Sequence, residues 1–226
     1  LKLADSVFGQ TVSGKWVYES EVIDYVEEDL FMSPDLSTIR KIPWNKEPTA
    51  QIICDLKYGT GEPSEIAPRQ VLINIIEILK ENKFKAIVAP ELEFYLCEQN
   101  LDPDLPLKTP VGKSGRRETG SRVFGIDAVN EFDALTDDIY DYCELMNIGV
   151  DTLVHESGPS QIEINLNHGD PLALADQAFM FKRAVRQVAL KHGIHATFMA
   201  KPYQGQPGSS MHIHQNLVST KSNKNL

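Results

Sequence analysis

The chain has 226 residues, enough for one large domain or two smaller ones with a sizeable buried core. It carries 22 Lys and Arg against 32 Asp and Glu, a net charge of −10, which argues against non-specific nucleic-acid or anionic-membrane binding and is compatible with cationic substrates. There is no run of about 18 apolar residues and no basic-then-apolar leader, and the three cysteines, Cys54, Cys97 and Cys143, lie far apart in apolar or strand-like surroundings; buried, reduced thiols in a cytoplasmic protein are expected.

Residues 1 to about 60 are short and β-like. Gly14 to Val26 has strand formers between turn signals, Gln51 to Leu56 is another candidate strand, and Ser33-Pro-Asp and Pro43-Trp-Asn lie in turn-rich stretches between them. Tyr58-Gly-Thr-Gly-Glu-Pro-Ser reads as a linker. A helix is expected from Pro68 to about Asn82, with Val71, Leu72, Ile75, Ile76 and Leu79 on its buried stripe. Pro90 to Leu96 follows as a strand. Leu92, Phe94 and Leu96 take its core side, and Glu91, Glu93 and Tyr95 point the other way. From Asn100 to Val123 the chain is loop-like, with three X-Pro steps and the basic run Lys113-Ser-Gly-Arg-Arg.

A second helix is expected over Asn130 to Met146, with Phe132, Leu135, Ile139, Cys143 and Met146 at helical spacing and Gly149 past its end. Strands at Val150 to Glu156 and Gln161 to Leu166 flank the break at Gly158-Pro159; Ile162, Ile164 and Leu166 share one face, leaving Gln161, Glu163 and Asn165 opposite. The third helix has Asp170 as N-cap, Pro171 at its first position, Gly193 after its end and a stripe of Leu174, Ala178, Phe181, Val185, Val188 and Ala189. Ile194 to Lys201 and Ser210 to Leu217 are the last strand candidates. His212 and His214 share one face of the second, after the turn-like Tyr203 to Gly208.

Glu91, Glu93, Glu156, Glu163, His212 and His214 thus lie on or at the ends of short strands with apolar alternate positions, and one curved sheet could bring them to a single concave face. Carboxylates about 7 Å apart along a strand repel unless a cation or water intervenes. Oxygen ligands with an occasional imidazole suit Mg²⁺ or Mn²⁺, and the number of acids suggests more than one ion, the arrangement that clamps a transferring phosphoryl group. The competing reading is a structural network, in which the acids bond basic residues from Lys113 to Arg122 or Lys182 to Arg186. Lys201 could stand near phosphates or simply face solvent. No P-loop or Rossmann glycine motif occurs, so a nucleotide would be bound without either.

Four ordered segments resemble the glutamine synthetase superfamily: Ala89-Pro-Glu-Leu-Glu-Phe-Tyr-Leu, His155-Glu-Ser-Gly-Pro-Ser-Gln-Ile-Glu, Ala196-Thr-Phe-Met-Ala-Lys-Pro and Gly208-Ser-Ser-Met-His-Ile-His. Met199-Ala-Lys-Pro-Tyr and Pro207 to Gln215 resemble the γ-glutamylpolyamine branch of that family. The resemblance implies an α+β protein: a small N-terminal β-grasp domain, residues 1–60, followed over 65–226 by the N-terminal part of a catalytic domain with a curved antiparallel sheet flanked by helices. It implies homo-oligomeric rings with active sites between subunits, ATP, and two or more Mg²⁺ or Mn²⁺. Glu93, Glu156 and Glu163 match the ligands of one metal, and Glu91 and His212 ligands of the other. His214 and Asp151 match positions on the ATP side, and Gly208 with Glu93 the substrate glutamate.

The implied activity is a nitrogen-metabolism ligase that phosphorylates the γ-carboxylate of glutamate with ATP and passes the acyl group to an amine. Putrescine or another organic amine is expected, with ammonia, or a non-catalytic role in assembly or sensing, as alternatives. The family's remaining metal ligand and its arginines match nothing in these 226 residues, so no catalytic residue is assigned within them and this stretch alone is expected to be inactive. Where the family carries an ammonia-selecting aspartate, the sequence reads Phe8-Gly-Gln-Thr-Val-Ser-Gly-Lys. Trp16 and Tyr18 could face a distal ammonium, and Asp5 or Glu27 could replace the missing acid.

Overall fold

Alternating apolar side chains flanking Pro90 make one long strand, and most of the sheet is assembled on it. The structure, a computed structural model, describes residues 1–17, 28–222 and 224–225. In chain order its elements are β1 (Lys2–Ala4), β2 (Asp29–Pro34), β3 (Arg40–Lys41), β4 (Ala50–Gln51), β5 (Cys54–Lys57), α1 (Pro68–Glu81), β6 (Phe84–Glu98), α2 (Ile126–Asn130), α3 (Asp133–Leu145), β7 (Val150–His155), β8 (Gln161–Leu166), α4 (Pro171–Lys191), β9 (Ile194–Thr197) and β10 (Met211–Ser219). Helices with antiparallel sheets make this an α+β fold. The chain divides into two compact units, Leu1–Arg40 with Ala50–Ala86 and Leu217–Leu226, and Lys41–Thr49 with Ile87–Asn216. No helix of the described residues is long and apolar enough to cross a membrane.

The first unit holds the antiparallel sheet β1-β2-β5. The strand expected over Gln51 to Leu56 is interrupted, because the Ile53 N–H turns aside to Thr38 Oγ1 and its carbonyl accepts from Asp35 N. Arg69 of α1 bonds both Asp35 and Asp55. The Ser37 hydroxyl and then Arg69 hold the Asp35 carboxyl below the usual range. Helix α1 starts at Pro68 as expected, but its inward side differs from the expected stripe. Leu72, Ile73, Ile76 and Leu79 are half-buried, whereas Val71 and Ile75 are exposed. Ile73 and Ile78 widen the apolar surface, so periodicity alone leaves the inward direction open. Most of the strand expected from Gly14 to Val26, with Tyr18 and Glu27, lies outside the described residues.

The second unit is built on the order β10-β6-β8-β7 with β9 also on β6. Tyr95 pairs with both Gln161 of β8 and Thr197 of β9, so those strands flank β6 on opposite sides. Glu93 N donates to Ser210 O just before β10. Strands β9 and β10 therefore lie end to end along one side of β6, and the chain between them, residues 198–210, leaves the sheet at the level of Glu93 and Tyr95. One face of β6 and β8 is the core: Leu92, Phe94, Leu96, Ile162, Ile164 and Leu166 are at most 2% exposed.

Helix α4 supplies the facing layer, with Phe181, Val185, Val188 and Ala189 fully buried. Its N-terminus is set as expected, Asp170 accepting from Leu172 N and Ala173 N. The helix expected over Asn130 to Met146 is α3, which starts three residues later at Asp133, and the short α2 precedes it. Lys113 N donates to the Glu131 carbonyl and Ser114 N to its carboxylate, so the preceding loop claims the residue at the break. The end of α3 is turned by Asn147, with φ 53°, rather than by Gly149. Of the cysteines, Cys97 and Cys143 are buried and Cys54 half-buried, all three as free thiols; burial pushes the Cys97 thiol up to about 11 and that of Cys143 up to about 12.

Candidate functional site

Register decides what the alternation along β6 and β8 can build. Glu91 lies opposite Asn165, Glu93 opposite Glu163 and Tyr95 opposite Gln161, so six polar side chains form a two-strand ladder on the face away from the core. Oxygens of Glu91 and Glu163 and a ring nitrogen of His212 all lie within 4.8 Å of one another. His212 Nδ1 is 3.4 Å from Glu91 Oε2, and His214 Nε2 is 3.0 Å from Glu91 Oε1, so Glu91 stands between two exposed imidazoles of β10.

Burial and then the charges of Glu91, Glu156 and Glu93 raise the Glu163 carboxyl above its ordinary range. Among the described residues, none of Glu91, Glu93, Glu156 and Glu163 makes an ion pair with Lys or Arg. The neighbouring cations are spent elsewhere: Lys113 on Asp133, Arg117 on Glu98, Arg122 on Glu118, and Lys182 and Arg186 over the Phe198 ring. Of the two readings open at the sequence level, the basic-residue network is therefore not what these side chains form. Two carboxylates and an imidazole this close fit a divalent cation with oxygen preference.

Glu163 gathers with Glu91 and His212, while Glu93 is held by the loop: its Oε2 accepts from Gln161 Nε2 at 3.0 Å and Ser210 N at 3.1 Å, and its Oε1 accepts from the Ser210 hydroxyl. Glu156 follows β7 immediately, with its Oε2 accepting from Ser157 N at 3.1 Å. Asp151 stands apart from this cluster. It is exposed, and its charge acts on the Tyr140 phenol of α3. Lys201 donates from Nζ to the Gln206 carbonyl, and Asp5 is 8% exposed with its carboxylate accepting from Glu28 N.

Gly208 belongs to a tightly held turn. A Cβ there would stand 2.7 Å from the Ala200 carbonyl oxygen, and Ser209 N donates to that same oxygen. Behind the carboxylates, buried His155 puts Nε2 2.8 Å from Glu118 Oε2 and Nδ1 2.7 Å from the Glu156 carbonyl oxygen; Ser160 N also donates to Glu118 Oε2, at 2.5 Å. Burial raises the Glu118 carboxyl, but the His155 and Ser160 hydrogen bonds and nearby positive charge outweigh it and hold it below the ordinary range. The sequence places Gln161 on the polar face without marking a role for it, and marks none for Glu118. The first shares the Glu163 alternation and so carried a signal; the second lies in a loop, where pattern gives none.

Residues 65–226 match the family described as glutamine synthetase, catalytic domain. The chain belongs to the glutamine synthetase family. It is 36% identical over 222 residues to gamma-glutamylputrescine synthetase PuuA of Escherichia coli (strain K12), covering 97% of this chain and 46% of that protein. It is 34% identical over 199 residues to glutamate–isopropylamine ligase of a Pseudomonas species, covering 84% and 40%. A solved structure described as a novel glutamine synthase homolog superposes with a TM-score of 0.82 at 19% identity, over all of this chain and half of that one, and shows the shared fold. The chain spans about half the length of the curated relatives it matches.

Proposed function

We propose that the protein is an ATP-dependent ligase that joins the γ-carboxylate of glutamate to an organic amine such as putrescine. The observation that carries this reading is the set of four glutamates on and beside one sheet face with no Lys or Arg partner among the described residues, two of which, Glu91 and Glu163, already converge with His212. Such clustering raises the energy of the folded chain unless a cation belongs there. Family membership and the names of the two relatives, both ligases of organic amines, support the choice of reaction.

A carboxylate and an amine form a salt in water, so the carboxylate must be activated first. In the proposed reaction a γ-carboxylate oxygen of glutamate attacks the terminal phosphorus of ATP and ADP leaves. The amine nitrogen then attacks the acyl carbon, phosphate leaves and the nitrogen loses a proton. Glu91, Glu163 and His212 would hold one Mg²⁺ or Mn²⁺, with Glu93 and Glu156 beside a second; bound, such ions neutralise phosphoryl charge. His214 orients Glu91 and lies on the nucleotide side, with Asp151 at the more distant edge. The Gly208 backbone contacts the substrate glutamate, and Glu93, fixed by three hydrogen bonds, faces the same substrate.

On this reading residues 1–60 are a β-grasp domain, residues 65–226 are part of the catalytic domain, and the full-length protein forms homo-oligomeric rings in the cytoplasm. The test is phosphate release by the full-length protein with ATP, glutamate and Mn²⁺, comparing ammonium, isopropylamine, putrescine and longer polyamines at equal concentration. An organic amine should give the highest kcat/KM. Ammonium as clearly the best acceptor would make the protein a glutamine synthetase, and no glutamate-dependent turnover with any acceptor would leave a non-catalytic family member.

A further inference from the structure

We propose that Tyr95 and Gln161, a register pair across β6 and β8, are positioning residues that set the Pro207–Ser210 turn and, through it, the contact to the substrate glutamate. Both side chains are fully buried, although they lie on the polar face of the sheet. The Tyr95 hydroxyl donates to the Pro207 carbonyl at 2.8 Å. Gln161 Nε2 donates to the Gly208 carbonyl at 2.9 Å and to Glu93 Oε2 at 3.0 Å, while its Oε1 accepts from Gly158 N at 2.8 Å. One amide thus ties three separate pieces of chain together: the 156–160 turn, the β6 carboxylate and the 207–210 turn.

The geometry leaves little slack. A side chain at Gly158 would overlap the Tyr95 phenol, so the turn after β7 lies directly against that ring. Tyr203 packs edge-to-face with the same ring, centroids 5.0 Å apart. Carbonyls that accept fixed hydrogen bonds hold their peptide planes, and the Gly208 plane is therefore set by Gln161 on one side and the Ala200 backbone on the other. A side-chain amide here supplies both an acceptor for Gly158 and donors for Glu93 and Gly208, a combination that neither Glu nor Met can reproduce.

The inference rests on the substrate role given above to Gly208 and Glu93, and the experiment separates the two. Tyr95→Phe removes only the hydroxyl, and Gln161→Met keeps length and most of the volume. In the full-length protein, hydrogen exchange of the segment spanning Pro207 to Met211 should accelerate about tenfold or more in each variant, while β8 and β9 stay protected. KM for glutamate should rise by a similar factor in both variants; in Tyr95→Phe, whose lost hydroxyl bonds only the Pro207 carbonyl, KM for ATP should be unchanged and Mn²⁺ affinity within about twofold of wild type, whereas Gln161→Met also loses its bond to Glu93. Exchange at wild-type rates in both variants overturns the proposal. Faster exchange with an unchanged KM for glutamate keeps the anchoring but overturns its bearing on the substrate. A wild-type protein without glutamate-dependent turnover refutes the ligase reading and, with it, the substrate half of this proposal, while the exchange measurement still decides the anchoring.

Discussion

At Glu163 the opposing demands of the site meet. Its side chain is 9% exposed, lies directly across from Glu93, and feels Glu91 and Glu156 as well, so burial and like charge both oppose its ionisation. A divalent cation reverses that balance. Glu163→Gln should lower Mn²⁺ affinity at least as much as the roughly 10- to 100-fold that loss of an outer-shell partner costs, read by titration calorimetry or by Mn²⁺ electron paramagnetic resonance. An unchanged affinity would remove Glu163 from the site. Glu118 presents the opposite case, a carboxyl stabilised as the anion. With its folded-state pKa below the unfolded value of about 4.3, its contribution is complete above about pH 5 and is lost as the pH falls through the folded-state value. Glu118→Gln should cost about 1–3 kcal/mol at pH 7, and urea unfolding should show wild type and variant drawing together as the pH is lowered from 5. A pH-independent gap would mean that the ionised form is not what matters.

At the scale of elements, caps and turns are where local sequence and packing can be tested separately. Asp170 is exposed enough that its two bonds to Leu172 N and Ala173 N are its main function, so Asp170→Ala should cost about 1 kcal/mol in urea unfolding of the second unit. Gly158 is constrained by packing, because its φ is not in the left-handed region but a Cβ would strike the Tyr95 ring. Gly158→Ala should cost about 1–3 kcal/mol, and adding Tyr95→Phe should not restore it, since the ring carbons as well as the hydroxyl lie in the way. Recovery on removing the hydroxyl alone would show that the turn has room to shift. The elements themselves follow their local signals to differing degrees. Helix α4, punctuated by Asp170-Pro171 and Gly193, begins where the sequence places it, whereas α2 and α3 are separated by a loop that docks on Glu131 from outside the helix.

At the scale of the molecule, ligand linkage offers a test that is independent of turnover. A cation binding only the folded chain at 100 times its Kd adds about 2.7 kcal/mol. For a chain of this size that corresponds to a Tm rise of roughly 5–10 °C. Saturating Mn²⁺ should produce it in wild type, and the double variant Glu91→Gln with Glu163→Gln should abolish most of it; equal rises in both would assign the effect to other carboxylates among the 32 acids. The net charge of −10 adds a second expectation, that a divalent ammonium such as putrescine loses kcat/KM with added salt more steeply than a monoamine does. Equal salt dependence of the two would show that this charge does not act on the acceptor.

What the sequence by itself determined was the face each side chain takes. Alternation along β6 and β8 placed Glu91, Glu93, Gln161, Glu163 and Asn165 away from the core, and helical spacing placed Phe181, Val185 and Val188 within it, because both patterns follow from backbone geometry at single-residue range. Four ordered motifs also named the family. The partners on that polar face were decided only by the tertiary structure. Register set Glu93 across from Glu163 and Glu91 across from Asn165, and the end-to-end placement of β9 and β10 along β6 delivered His212 to Glu91 and the 207–210 turn to Glu93 and Gln161. The same holds for Glu118, which comes from a loop with no periodicity, and for α1, whose apolar residues cover too wide an arc to say which of them face inward. Register and docking are choices among long-range pairings, and their energies depend on residues distant in sequence, so no local pattern carries them.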